Sequence, residues 1–171
     1  MTGAEVSGTD RGDAVDDIQR EWRRIRPDLD LEAIGVVGRV LRSAALIVHR
    51  SDEVLAAHGL TRGEFDILAV LRRSATPRSP GELRTISLAT APSTTKRLKQ
   101  LEGRGLVSRS MNPADGRGAL ISLTAAGRDL VDEVFPLQLS AENSLLAGLK
   151  GDERAALARS LTMLLASIER S

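Results

Sequence analysis

The chain has no cysteine and no tyrosine in 171 residues, and its aromatics are Trp22, Phe65 and Phe135 alone. Without thiols there can be no disulfide, zinc–thiolate site, iron–sulfur cluster or cysteine nucleophile. With aromatics at 2 %, a β-sandwich or barrel lacks the alternating aromatic and β-branched residues it needs. No apolar run approaches a membrane span, and the N-terminus has no signal-peptide pattern. The two histidines, His49 and His58, are nine positions apart, which is not the one-turn spacing of helical metal ligands. Neither a glycine-rich phosphate loop nor a nucleophile elbow is present. These absences argue against an enzyme and give no reason to expect a cofactor or a bound metal. The expectation is a soluble, cytoplasmic protein.

What is present is alanine and leucine, within a 42 % hydrophobic and 27 % charged composition. That composition favours a mainly α-helical fold, and the length suits one domain. The net charge of +1 conceals a strong asymmetry. Residues 1–35 carry nine acidic side chains against five arginines. Residues 92–123 carry six cations (Lys96, Arg97, Lys99, Arg104, Arg109, Arg117) against Glu102 and Asp115. A basic middle in a balanced chain suits a nucleic-acid surface, and it also suits a solvated helix face.

Local signals set the order of elements. Residues 1–12 lack periodicity and read as a disordered tail. Val15, Ile18, Trp22 and Ile25 share one face of a short helix that Pro27 ends. Asp30 can cap a long helix to about Ala57, with Ile34, Val37, Leu41, Ala44, Val48 and Leu55 on one side, and Gly59 closes it. Thr61 and Glu64 form a capping box for a helix to about Arg73. Pro80 opens a short helix to about Leu88, Pro92 a second to Arg104, and Gly105 stops it. Two β-rich stretches, Val107–Met111 and Ala119–Leu123, flank turn residues 112–118 as a hairpin. Thr124 caps a helix in which Pro136 is expected to kink the chain. After a break at 148–151, Asp152 opens a last helix rich in leucine. The expected division is N-terminal helices at 13–60, a DNA-binding domain at 61–124 and dimerisation helices at 125–171.

A short helix, a turn, a second helix and a basic hairpin, in that order, make a winged helix-turn-helix. The second helix begins with small hydroxyls and cations (Ser93, Thr94, Thr95, Lys96, Lys99), the residue types that reach base edges and phosphates from a recognition helix. Arg117 at the hairpin tip, oriented by Asp115, is expected to enter a minor groove. An ordinary amphipathic helix with a solvated face explains the helix alone but not the attached hairpin.

Glu82-Leu83, Arg97-Leu98, the run Leu101 to Val107 and the run Asp115 to Thr124 together resemble the multiple-antibiotic-resistance regulator (MarR) family. The similarity spans roughly residues 35–170. It implies a homodimeric transcriptional regulator that binds a palindromic double-stranded operator and answers to a small molecule, and a repressor is expected. Glycine on both sides of Arg117 departs from the family's wing pattern. The added helix with Trp22, the segment Glu64 to Leu68 and the segment Ala91 to Arg97 are similar to the urate-responsive subgroup. In that subgroup a tryptophan, an aspartate and two arginines form the effector pocket. The matching positions are Trp22, Asp66, Arg97 and Arg109, which implies a planar anionic effector such as urate or a tricarboxylate. Two guanidiniums can clamp such an anion and an indole can stack on it. In the free protein Asp66 is expected to hold Arg97 by a charge pair. Asp66 could instead pair at the surface with Arg62 or Arg73, Trp22 could be a plain core anchor, and both arginines could bind DNA phosphates. A helical protein-interaction module without DNA binding is the alternative reading of the whole chain.

Overall fold

The computed structural model describes residues 12–74, 76–86, 94–113 and 118–170. These fall in two compact units, Met1–Val48 and His49–Ser171.

The first unit holds α1 (Ala14–Ile25) and the start of α2 (Glu32–Ala57). Asp13 and Asp16 close a reciprocal capping box on α1, and both carboxylates also receive Arg39 of α2, at 2.8 and 2.7 Å. Gln19 donates from Nε2 to the Leu31 carbonyl at 2.8 Å, and Val15 is buried. Asp30 accepts from the Glu32 amide and so opens α2 as the sequence predicts. The expected apolar stripe of α1 is covered only at Val15: Ile18, Trp22 and Ile25 are exposed. Val37, Leu41 and Val48 of α2 are exposed as well.

The second unit contains the end of α2, then α3 (Arg62–Ser74), α4 (Pro80–Ile86), α5 (Thr94–Gly103), strands β1 (Val107–Met111) and β2 (Ala119–Leu123), α6 (Ala125–Leu145) and α7 (Gly151–Ile168). Gly59 and Gly105 take φ of +65° and +68°, so the chain can reverse after α2 and α5 in a conformation that a Cβ would strain. In both turns the amide three residues past the helix end reaches back inside it, Leu60 to the Leu55 carbonyl and Leu106 to that of Leu101, each at 2.9 Å. Thr61 and Glu64 close their capping box, and Ser79 and Glu82 close a second one around Pro80. The core gathers Leu55, Leu68, Leu83, Leu98, Leu101 and Ile121, with Phe65 of α3 stacked on Phe135 of α6 at 6.4 Å.

The two strands pair antiparallel, with Arg109 opposite Ile121. A third backbone segment joins them, because residue 78 exchanges amide hydrogen bonds with Ile121 at 2.8 and 3.0 Å. Thr124 caps α6 through the Gly127 amide and donates its hydroxyl to the Gly105 carbonyl at 2.7 Å. Helix α6 continues unbroken through Pro136. Helix α7 opens at Gly151, one residue before Asp152, and has no buried residue. Among the described residues no helix is long and apolar enough to cross a membrane, and no cluster of acids and histidines could hold a metal ion.

Candidate nucleic-acid interface and effector site

Helix α5 is held from one side. Leu98 and Leu101 are fully buried, and their spacing turns Lys96, Lys99 and Gln100 to the opposite, exposed face. Thr95 is also exposed, and Thr94 is half-buried at the first turn. Of the DNA-contacting residues expected from sequence, Thr94, Thr95, Lys96 and Lys99 thus lie on one helix beside the hairpin. Ser93, Asp115 and Arg117 lie outside the described residues.

Two ion pairs tie α5 to its surroundings. Arg104, just past its end, places Nη1 3.5 Å from Oε1 of Glu64 in α3. Glu102 lies 3.4 Å from Nε of Arg109 on β1, so the wing and the recognition helix share a charged contact. Both pairs link residues of different elements, and no local sequence spacing announces them.

Asp66 is buried in α3, only 6 % exposed. Arg62 donates from Nε to its Oδ1 at 3.1 Å and from Nη1 to Ser51 Oγ at 2.7 Å. Gln138 of α6 also donates to Ser51 and to Glu142, at 2.9 and 3.0 Å. The polar cluster therefore joins α2, α3 and α6 inside the second unit. Among the described residues Oδ2 of Asp66 has no hydrogen-bond partner. Burial pushes the Asp66 carboxyl above its ordinary value, and Arg62, then Arg97 and Arg73, pull against that rise.

Arg97 is therefore close enough to act on Asp66, but the ion pair of Asp66 is made by Arg62. The expected Asp66–Arg97 charge pair is replaced by a longer-range attraction, because Arg62 sits one turn away on the same helix and reaches the carboxylate first. The pairing with Arg62 was readable from that spacing; its burial was not. Arg97 itself lies over Gly63 of α3. Arg109 is on the wing, held at Glu102. Trp22, on α1 of the first unit, is 46 % exposed.

A short capped helix, a second helix with cations outward and a two-stranded antiparallel wing define a winged-helix DNA-binding protein. The MarR family profile matches residues 58–118. The transcriptional regulator PecS of Dickeya dadantii is 34 % identical over 142 residues, covering 82 % of this chain and 86 % of that protein. The structure of a mutant MarR from Escherichia coli complexed with operator DNA superposes with a TM-score of 0.69 at 27 % identity, covering 80 % of this chain and 99 % of that one. BpsR of Bordetella bronchiseptica, whose DNA binding is regulated by 6-hydroxynicotinic acid, gives 0.65 at 29 % identity, over 75 % of this chain and 97 % of that one. The chain belongs to the MarR family, a DNA-binding and ligand-responsive family, and it is a transcriptional regulator, not an enzyme.

Proposed function

We propose that this regulator binds a palindromic operator as a homodimer and releases it when a small planar anion binds, acting as a repressor. The observation that carries the DNA reading is the outward face of α5, where Thr95, Lys96 and Lys99 are exposed opposite the buried Leu98 and Leu101. Ser93, Thr94, Thr95, Lys96 and Lys99 read the major groove, and Arg117 with Asp115 reads the flanking minor groove. Two-fold symmetry spaces the two recognition helices by about one DNA turn. The exposed leucines of α7 supply apolar surface for the partner subunit.

The effector is held by Arg97 and Arg109, with Asp66 setting the charge balance; Trp22 joins them on the sequence similarity to the urate-responsive subgroup. An incoming anion attracts Arg97 and is repelled by Asp66. Arg97 belongs to α5, so a shift in its side chain biases how that helix docks. Linkage then requires operator DNA to weaken anion binding by the same factor that the anion weakens DNA binding.

The DNA reading is tested by gel shift on the chain's own upstream sequence with and without specific competitor; no competable shift would end it. The effector reading is tested by calorimetric titration of urate, citrate and 6-hydroxynicotinate into wild type and Arg97→Ala. An anion that releases DNA yet binds both proteins equally places the pocket elsewhere.

A further inference from the structure

Gly63 is a helical residue near the start of α3, and it is buried. Its φ is not positive, since Gly59 and Gly105 are the positive-φ glycines among the described residues. The backbone there gives no reason for glycine, which is among the poorest helix formers. The reason is steric. A Cβ at position 63 would overlap Nε and Cζ of Arg97 and lie 2.9 Å from its Cδ. The three nearest atoms all belong to that one side chain of α5. The bare backbone at 63 is thus a seat for the Arg97 guanidinium, and Asp66 stands about one turn further along the same helix.

We propose that Gly63 is a positioning residue of the regulatory switch. By leaving room for Arg97 against α3, it couples the recognition helix to the buried Asp66–Arg62 cluster. This inference rests on the reading above, in which an anion acts through Arg97. A methyl group at 63 pushes the guanidinium off α3. The atoms it meets are the far end of a flexible side chain, so the helix can accept alanine while the coupling is lost.

The test is a double-mutant cycle of wild type, Gly63→Ala, Arg97→Ala and the double variant, reading operator affinity by fluorescence anisotropy and Tm by thermal unfolding. Urate is the first anion used, followed by citrate and 6-hydroxynicotinate. Gly63→Ala is expected to keep its Tm and to reduce the anion-driven change in operator affinity, about tenfold in a coupled wild type, to within about twofold. In the Arg97→Ala background the same substitution is expected to change nothing further. A folded Gly63→Ala that responds as wild type does overturns the proposal, and so does an effect of equal size in both backgrounds. If Gly63→Ala fails to fold while the double variant folds, the clash with Arg97 is demonstrated; if neither folds, Gly63 serves something other than Arg97 and the proposal fails. Should wild type respond to none of the three anions, the effector reading falls. The anion-free arm then decides: a change in operator affinity on Gly63→Ala that vanishes in Arg97→Ala supports the seat, and its absence or persistence overturns it.

Discussion

Glu64 serves two partners with its two carboxylate oxygens. Oε2 accepts from the amide and the hydroxyl of Thr61, at 2.9 and 2.8 Å, while Oε1 faces Arg104 at 3.5 Å. One buried side chain therefore starts α3 and anchors the exit of the recognition helix. Glu64→Ala is expected to lower stability by about 1 kcal/mol through the capping box alone. Glu64→Gln keeps the acceptor for Thr61 but not the charge for Arg104, so its loss is smaller. Urea unfolding of both variants checks the order, and equal stability of all three proteins contradicts the double role.

The buried Asp66 gives a pH dependence of defined sign. Its folded pKa is raised by burial above the ordinary aspartate value, so the native state binds its proton more tightly than the unfolded state does. Its contribution favours folding below the unfolded pKa, about 3.9, and is lost as pH rises through the folded value. Asp66→Asn removes that slope. Unfolding free energies measured from acidic to neutral pH should show wild type losing ground to Asp66→Asn as pH rises, and parallel curves would contradict this.

Helix α7 has no interior of its own. Leu157, Leu161, Leu165 and Ile168 are exposed, whereas most helical stability in proteins comes from packing of an apolar face. Dimerisation should therefore make helicity depend on concentration, with ellipticity per residue falling on dilution. Leu165→Arg is expected to yield a folded winged-helix unit of monomer mass by light scattering, with weakened operator binding. A wild-type monomer at micromolar concentration refutes the expectation.

Lys96→Ala and Lys99→Ala should each reduce the slope of log affinity against log salt by about one phosphate equivalent. Arg117→Ala should do the same from the wing, and Thr95→Ala should alter base preference with little change in slope. Binding isotherms at several salt concentrations separate these effects. Unchanged affinity of Arg117→Ala at physiological salt removes the wing from the interface.

Element boundaries were legible where the chemistry is local. The Thr61–Glu64 box, Pro80, Asp30 and the hairpin strands are found as their residue types predict. Periodicity was less informative about what covers a face. It groups Val15, Ile18, Trp22 and Ile25 on α1, but of these only Val15 is buried. In α3 it fails for the opposite reason: Gly63 through Leu68 are all buried, so no polar face remains and the burial of Asp66 leaves no pattern. Long-range ties such as residue 78 with Ile121, or Glu102 with Arg109, arise from tertiary approach and have no sequence period. Pro136 lies inside α6, which continues on both sides of it.

The wing leaves and re-enters the domain at a single knot. The Thr124 amide bonds to the Leu106 carbonyl at 3.1 Å, its hydroxyl bonds to Gly105, and the far end is closed by the Asn112 amide on the Gly118 carbonyl at 2.8 Å. Beyond that last bond the sequence runs only through residues 113–117. Lengthening it costs only about 0.6 kcal/mol per doubling of the loop. Exchange of residues 113–117 for those of another regulator keeps every residue that makes the bonds named above. On the proposed reading, in which Arg117 enters the minor groove, minor-groove preference becomes a graftable property, set apart in sequence from the major-groove contacts proposed for α5.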